Sequence, residues 1–183
     1  MKTPKAIKID NTHFILQEDY SYTWMKDGAN ASDPSETYKV ESTIIVNKGF
    51  RWDGASIPKL FWSWGFTPDG KYRAAALVHD FIYIYKGKLP KGSMISNYIS
   101  DSGTIEDQIQ YGSFSRKDAD RLFGKMMKEN QVAIGRRKIM KYMVMKFGWI
   151  YWKDGPYLMT KTLVGLLSFA LLVAILLNVI GVF

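Results

Sequence analysis

The segment YRAAALVHDFIYIYK, Tyr72–Lys86, decides how the rest of the chain is read. Ala74, Ala75, Ala76, Leu77, Val78, Phe81, Ile82 and Ile84 surround His79 and Asp80. A helix apolar nearly all round is a buried helix. An ionised aspartate inside one costs several kcal/mol unless it is paired or metal-bound. His79 and Asp80 therefore need partners, and Tyr83 lies one turn beyond His79 on the same face. Two readings stay open at this point: a structural histidine beside a capped aspartate, or a chemical site.

Downstream, SRKDADRLFGKMMKEN, Ser115–Asn130, reads as an amphipathic helix with Ser115 as its N-cap. Its apolar stripe is Ala119, Leu122, Phe123, Met126 and Met127, with Asp120 at the edge and Asp118 pointing further away. An inward Asp120 accepts a hydrogen bond from an imidazole and fixes its tautomer. The alternative pairs Asp120 with Arg121 or a nearby lysine. Upstream, GFRWDGASIPKLFW spans residues 49–62. Gly54 and Pro58 bracket a small-residue turn there, whose carbonyls, with Asp53 and Asp80, supply oxygen ligands suited to calcium. The alternative is a plain strand-exit turn.

Residues 1–52 read as strands: His13–Gln17, Tyr20–Trp24, Tyr38–Val46 and Phe50–Trp52. Asp27-Gly28, Asn30–Pro34, Asn47-Lys48-Gly49 and Pro68-Asp69-Gly70 read as turns. Gly87–Gly112 reads as a long insertion of Gly, Ser, Asn and Asp. The expected fold is α+β, with N-terminal antiparallel strands followed by a helical part, in one globular domain over 1–135. Its helix pair is 72–86 and 115–130. No internal repeat or low-complexity tract is evident.

The chain of 183 residues is 47% apolar and 23% charged, enough for a core. It has no cysteine, which excludes disulfides, Cys-ligated metals and thiol nucleophiles. It has two histidines, His13 and His79, so a phosphohydrolase centre built on several histidine ligands is excluded. The net charge is +8. Arg136, Arg137, Lys138, Lys141, Lys146, Lys153 and Lys161 crowd one stretch whose only acid is Asp154. On a helical wheel, 136–153 places Ile139, Met140, Met143, Val144, Phe147, Ile150 and Tyr151 opposite Arg137, Lys138, Lys141, Lys146 and Lys153. That is a basic amphipathic helix for an anionic lipid surface, or an ordinary helix packed on the core. Gly148 weakens it by about 1 kcal/mol relative to alanine.

Thr162–Phe183, TLVGLLSFALLVAILLNVIGVF, has no charged residue. At about 1.5 Å per residue it is long enough for a bilayer core. The expectation is a transmembrane tail anchor over 162–183. The basic flank and the aromatic residues Trp149, Tyr151, Trp152 and Tyr157 place the N-terminal body in the cytoplasm. The N-terminal MKTPKAIKID is too polar for a secretion signal. The expected partner is the lipid bilayer with its anionic surface. Nucleic acid is not expected, because the basic residues concentrate beside the apolar run. Oligomeric state is not legible.

The succession GFRWDGASIP, AALVHDFIY, SRKDADRLF and FGWIYW resembles a family of bacteriophage and prophage proteins catalogued as a domain of unknown function. The resemblance covers roughly residues 38–152. It implies a viral origin, in the host inner membrane or the virion, and no activity. The order of glycine–proline loop, HDxxY helix and ADxxF helix is also similar to the phospholipase A(2) unit of parvovirus capsids and secreted phospholipases. That resemblance implies His79 as general base for water, Asp80 as calcium ligand with loop carbonyls, Asp120 orienting His79, and Tyr83 supporting Asp120. The chain departs from the pattern in four ways. It has only Gly54 where the lipases show several glycines, and Arg73 where an acidic residue usually stands. It has no bracing cysteines, and its N-terminal strands have no counterpart. The expected function is a calcium-dependent, phospholipase-like lipid esterase on a membrane anchor. The alternative is a non-enzymatic phage membrane, virion or lysis accessory protein whose His79, Asp80, Tyr83 and Asp120 form a packing network.

Overall fold

In a computed structural model, the described residues are 1–10, 13–29, 37–53, 69–99, 105–108 and 113–154. They form an α+β fold of two antiparallel sheets and three helices. The small sheet has the order β1-β2-β5, from Ala6–Lys8, Phe14–Leu16 and Arg51–Trp52. The larger sheet has the order β3-β4-β6-β7, from Tyr20–Ala29, Thr37–Val46, Met94–Ile99 and Ile105–Gln108. The helices are α1 (Arg73–Ile84), α2 (Arg116–Glu129) and α3 (Ile134–Asp154).

Side-chain alternation sets the register. Tyr20 pairs with Val46 and Tyr22 with Ile44, and all four are buried, while Ser21 and Thr23 face out. A one-residue slip would expose every one of these apolar side chains, so the pairing is strongly specified. Phe14 stacks on Trp52 across the small sheet at 5.4 Å, and Phe50 meets Phe81 of α1 edge-on at 5.2 Å. These contacts bring the end of β5, and Asp53 after it, to α1. The larger sheet reaches α2 instead: the Tyr22 hydroxyl donates to Glu129 at 2.9 Å, and Lys125 Nζ donates to the Met25 carbonyl at 3.1 Å.

The helix predicted over 72–86 is α1, Arg73–Ile84; it is buried from Ala74 to Ile82 apart from the half-buried Asp80, and Ile84 is exposed. It ends in a Schellman motif: Lys86 N–H donates to Tyr83 and Gly87 N–H to Ile82. Gly87 has φ +78°, and a Cβ there would collide with the Phe114 carbonyl. Ser115 caps α2 in a capping box with Asp118.

The structure corrects several expectations. Asp27-Gly28 is not a turn: β3 runs through it, because β4 supplies a ladder as far as Ala29↔Thr37. Residues 87–112 are not a plain insertion, since they contain β6 and β7. The β6 strand is held by the rim of β4, and a buried Ser42–Ser96 hydroxyl pair at 3.2 Å joins the two. His13 precedes β2, and Asp10 holds it in a turn at 2.7 Å. In α3, Met140, Val144, Gly148 and Trp152 turn inward onto the core, whereas Ile139, expected on the same apolar side as Met140 and Val144, is exposed. The expected turn at Asn30–Pro34, the Gly54–Pro58 loop and the apolar run 162–183 lie outside the described residues. Among the described residues, no helix is long and apolar enough to cross a membrane.

Candidate active site

Helical spacing on α1 and α2 assembles the site. His79 and Tyr83 lie four residues apart on α1, and Arg116 and Asp120 lie four apart on α2, so each helix offers one two-residue face. Where the helices pack, His79 Nε2 lies 3.0 Å from Asp120 Oδ1. The Tyr83 hydroxyl donates to the same oxygen at 2.6 Å, and Arg116 Nη1 donates to Oδ2 at 2.8 Å. Asp120 is 1% exposed and His79 8%. A carboxylate this deep is tolerable because every donor around it is aimed at it. Tyr83 and Arg116 both donate, so Asp120 is the acceptor and His79 Nε2 carries the hydrogen. The lone pair of the neutral ring is therefore on Nδ1.

His79 Nδ1 lies 3.6 Å from Asp80 Oδ1. Burial disfavours the charged imidazole, but the carboxylates of Asp120 and Asp80 outweigh it and raise its pKa above the ordinary value. Burial is also the main cause that pushes Asp80 up, to about 8; His79 opposes the shift, and the neighbouring Asp53 carboxyl adds to it by charge and by a hydrogen bond. Asp80 Oδ2 is buried with no hydrogen-bond partner among the described residues. Two carboxyls can share that space only with a proton or a cation between them. Burial first, then Asp120, raises the Tyr83 phenol, which stays protonated as a donor.

The third helix closes the arrangement. Arg116 Nη1 also reaches the carbonyls of Met145 at 3.1 Å and Val144 at 3.4 Å. Trp152 meets the Tyr83 ring edge-on at 5.1 Å. Gly148 faces the Tyr83 hydroxyl so closely that a Cβ would overlap it. Its missing side chain, a weakness by helix propensity alone, is what lets α3 approach.

Of the residues singled out from sequence, His79, Asp80, Tyr83 and Asp120 come together, and Asp53 stands beside Asp80. Gly54 lies outside the described residues. The alternative pairing of Asp120 with Arg121 is overturned, because Arg121 pairs with Asp118 at 3.3 Å. Sequence reading passed over Arg116, although its position one turn before Asp120 placed it on the same face. Among the described residues, no group of three or more His, Asp or Glu side chains could hold a metal ion. The Asp53–Asp80 pair nevertheless has the hard oxygen donors that calcium takes, and one of them is buried with no partner among the described residues. A cavity of about 160 Å³ lined by Pro4, Lys71, Arg73 and Asn130 has none of the site residues in its wall.

Fold and site together define an α+β protein in which a buried His–Asp–Tyr–Arg network joins three helices. Residues 32–144, well over half the chain, match the family described as "Protein of unknown function (DUF1353)", and the chain belongs to that family. No curated protein and no solved structure matches it significantly.

Proposed function

We propose that this chain is a membrane-anchored phage protein that hydrolyses lipid esters with His79 as general base and calcium as cofactor. The observation that carries the reading is the imidazole held between two carboxylates of unequal condition. Asp120 is saturated with donors, whereas Asp80 keeps a buried oxygen with no partner among the described residues, beside Asp53. A buried carboxyl oxygen in that position is suited to a proton or a cation. The phospholipase-like order of motifs agrees with the same roles.

His79 Nδ1 removes a proton from water, and the resulting hydroxide oxygen bonds to the ester carbonyl carbon. Asp120 stabilises the imidazolium. The imidazolium then returns the proton to the departing alcohol oxygen as the ester C–O bond breaks, leaving a fatty acid and a lysolipid. Asp80 and Asp53 would hold the calcium, whose charge favours the developing oxyanion. The apolar run 162–183 anchors the body, which faces the cytoplasm, against its substrate and raises the local lipid concentration.

A second reading has its own observation: His79 and Asp120 are almost fully buried, and Arg116 ties them to α3. Under it the chain is a structural or lysis accessory protein, and the network fixes how the helices pack. The test is lipid hydrolysis by the full chain with calcium, compared with His79→Ala. The esterase reading expects a loss of about 10²–10⁴-fold with the fold retained by circular dichroism. No hydrolysis by the wild type, or equal hydrolysis by the variant, overturns it in favour of the packing role.

A further inference from the structure

The inner side of α3 is occupied by the core, yet its outer side is not a plain polar surface. Ile134, Tyr142, Met145 and Trp149 are all exposed, Trp149 to 54%. Lys138 and Lys146 are exposed among them. The positions 134, 138, 142, 145 and 149 recur at intervals of four, four, three and four, which is one continuous stripe on a helix. Lys146 Nζ lies 5.9 Å from the centre of the Tyr142 ring, so charge and aromatic surface occupy the same level. No acidic residue occurs between Ile134 and Lys153.

We infer that this outer stripe of α3 is a docking surface for an anionic lipid bilayer, with the apolar side chains at headgroup depth and the lysines among the phosphates. This stripe differs from the side that the sequence offered either to lipid or to the core, where Met140 and Val144 pack inward and Ile139 is exposed. The interleaving argues for lipid over a protein groove. A dry groove that buried Tyr142, Met145 and Trp149 would also desolvate Lys138 and Lys146, whereas a headgroup layer accepts ring and ammonium at one depth. Charge complementarity supplies the attraction, and the uncharged run 162–183 follows in the same chain. The surface is independent of whether His79 is catalytic.

The absence of native cysteine allows a direct test. In the full chain, Met145→Cys and Trp149→Cys are labelled with an environment-sensitive fluorophore, and Lys48→Cys, in the turn before β5, is the control. Each is mixed with vesicles carrying quencher-labelled lipid, either phosphatidylglycerol-containing or phosphatidylcholine alone. The labels at 145 and 149 are expected to be quenched in anionic vesicles, and the label at 48 is not. Adding Lys138→Gln or Lys146→Gln is expected to lower the docked-to-undocked ratio about 5-fold for each lysine removed. Quenching equal at all three positions, or equal in neutral and anionic vesicles, overturns the proposal. So does a label at 145 that is shielded from quencher while the unlabelled Met145→Cys variant forms a disulfide-linked dimer on oxidation, which assigns the stripe to a protein interface. Lipid hydrolysis enters none of these readouts, so failure here is distinct from failure of the esterase reading.

Discussion

Replacing Asp120 with asparagine preserves shape and removes one charge at the most constrained point of the fold. Three donors converge on this carboxylate, from His79, Tyr83 and Arg116. An amide cannot serve them all, because its nitrogen must face either Arg116 or the His79–Tyr83 side. A buried ion pair that loses one partner costs about 3–5 kcal/mol. Arg116 keeps the Met145 carbonyl, so the lower end applies, about 3 kcal/mol. For a chain of this size that lowers the melting temperature by roughly 6–12 °C. The imidazole responds as well. His79 loses a carboxylate that raises its pKa while the opposing burial stays, so its pKa falls. With only two histidines in the chain, His13→Asn assigns the two ring signals in an NMR titration. The wild-type contribution from His79 has a definite sign. A raised folded pKa stabilises fully below the ordinary histidine value and is lost as pH rises through the folded one. The gap in melting temperature between wild type and Asp120→Asn is therefore expected to narrow as pH rises through that window. An unchanged melting temperature together with an unchanged His79 titration would refute the account of the network.

Gly148→Ala should be destabilising by about 1–3 kcal/mol through overlap with the Tyr83 hydroxyl, against the gain of about 1 kcal/mol that helix propensity alone predicts; thermal melts give the sign. Arg116→Met should cost about 1.5–3 kcal/mol and loosen α3, read as faster amide exchange in 134–154 with α1 still protected. Burial raises the Asp80 carboxyl from 3.8 to about 8, and a raised acid contributes stability that is fully present below about 4 and lost as pH rises through about 8. The melting temperature without divalent cations is therefore expected to fall over that range, with His79 adding in the same direction. Calcium should restore it chiefly at the alkaline end, where no proton has to be displaced.

Local chemistry made much of this protein legible without coordinates. The uninterrupted apolar surface around His79 and Asp80 demands burial and partners whatever the fold, so α1 and its need for a paired site follow from composition on a helix. Ser115 marks the start of α2 by capping, and the β-favouring runs Tyr20–Trp24 and Tyr38–Val46 mark strands, because these signals lie within a turn or a strand. What crossed between elements was not legible. The strands β6 and β7 hide among glycine, serine and asparagine because the rim of β4, not intrinsic propensity, holds β6 extended. Asp120 showed only as an edge position, since its depth depends on how α1 and α2 cross. Gly148 gained its role, and Arg116 its hold on the Met145 carbonyl, from α3 lying against both helices, a contact no spacing within one helix encodes. The outward side of α3 was likewise decided by packing: Tyr83 and α2 take the side of Met140, Val144 and Gly148, which leaves Ile139, Tyr142, Met145 and Trp149 facing out.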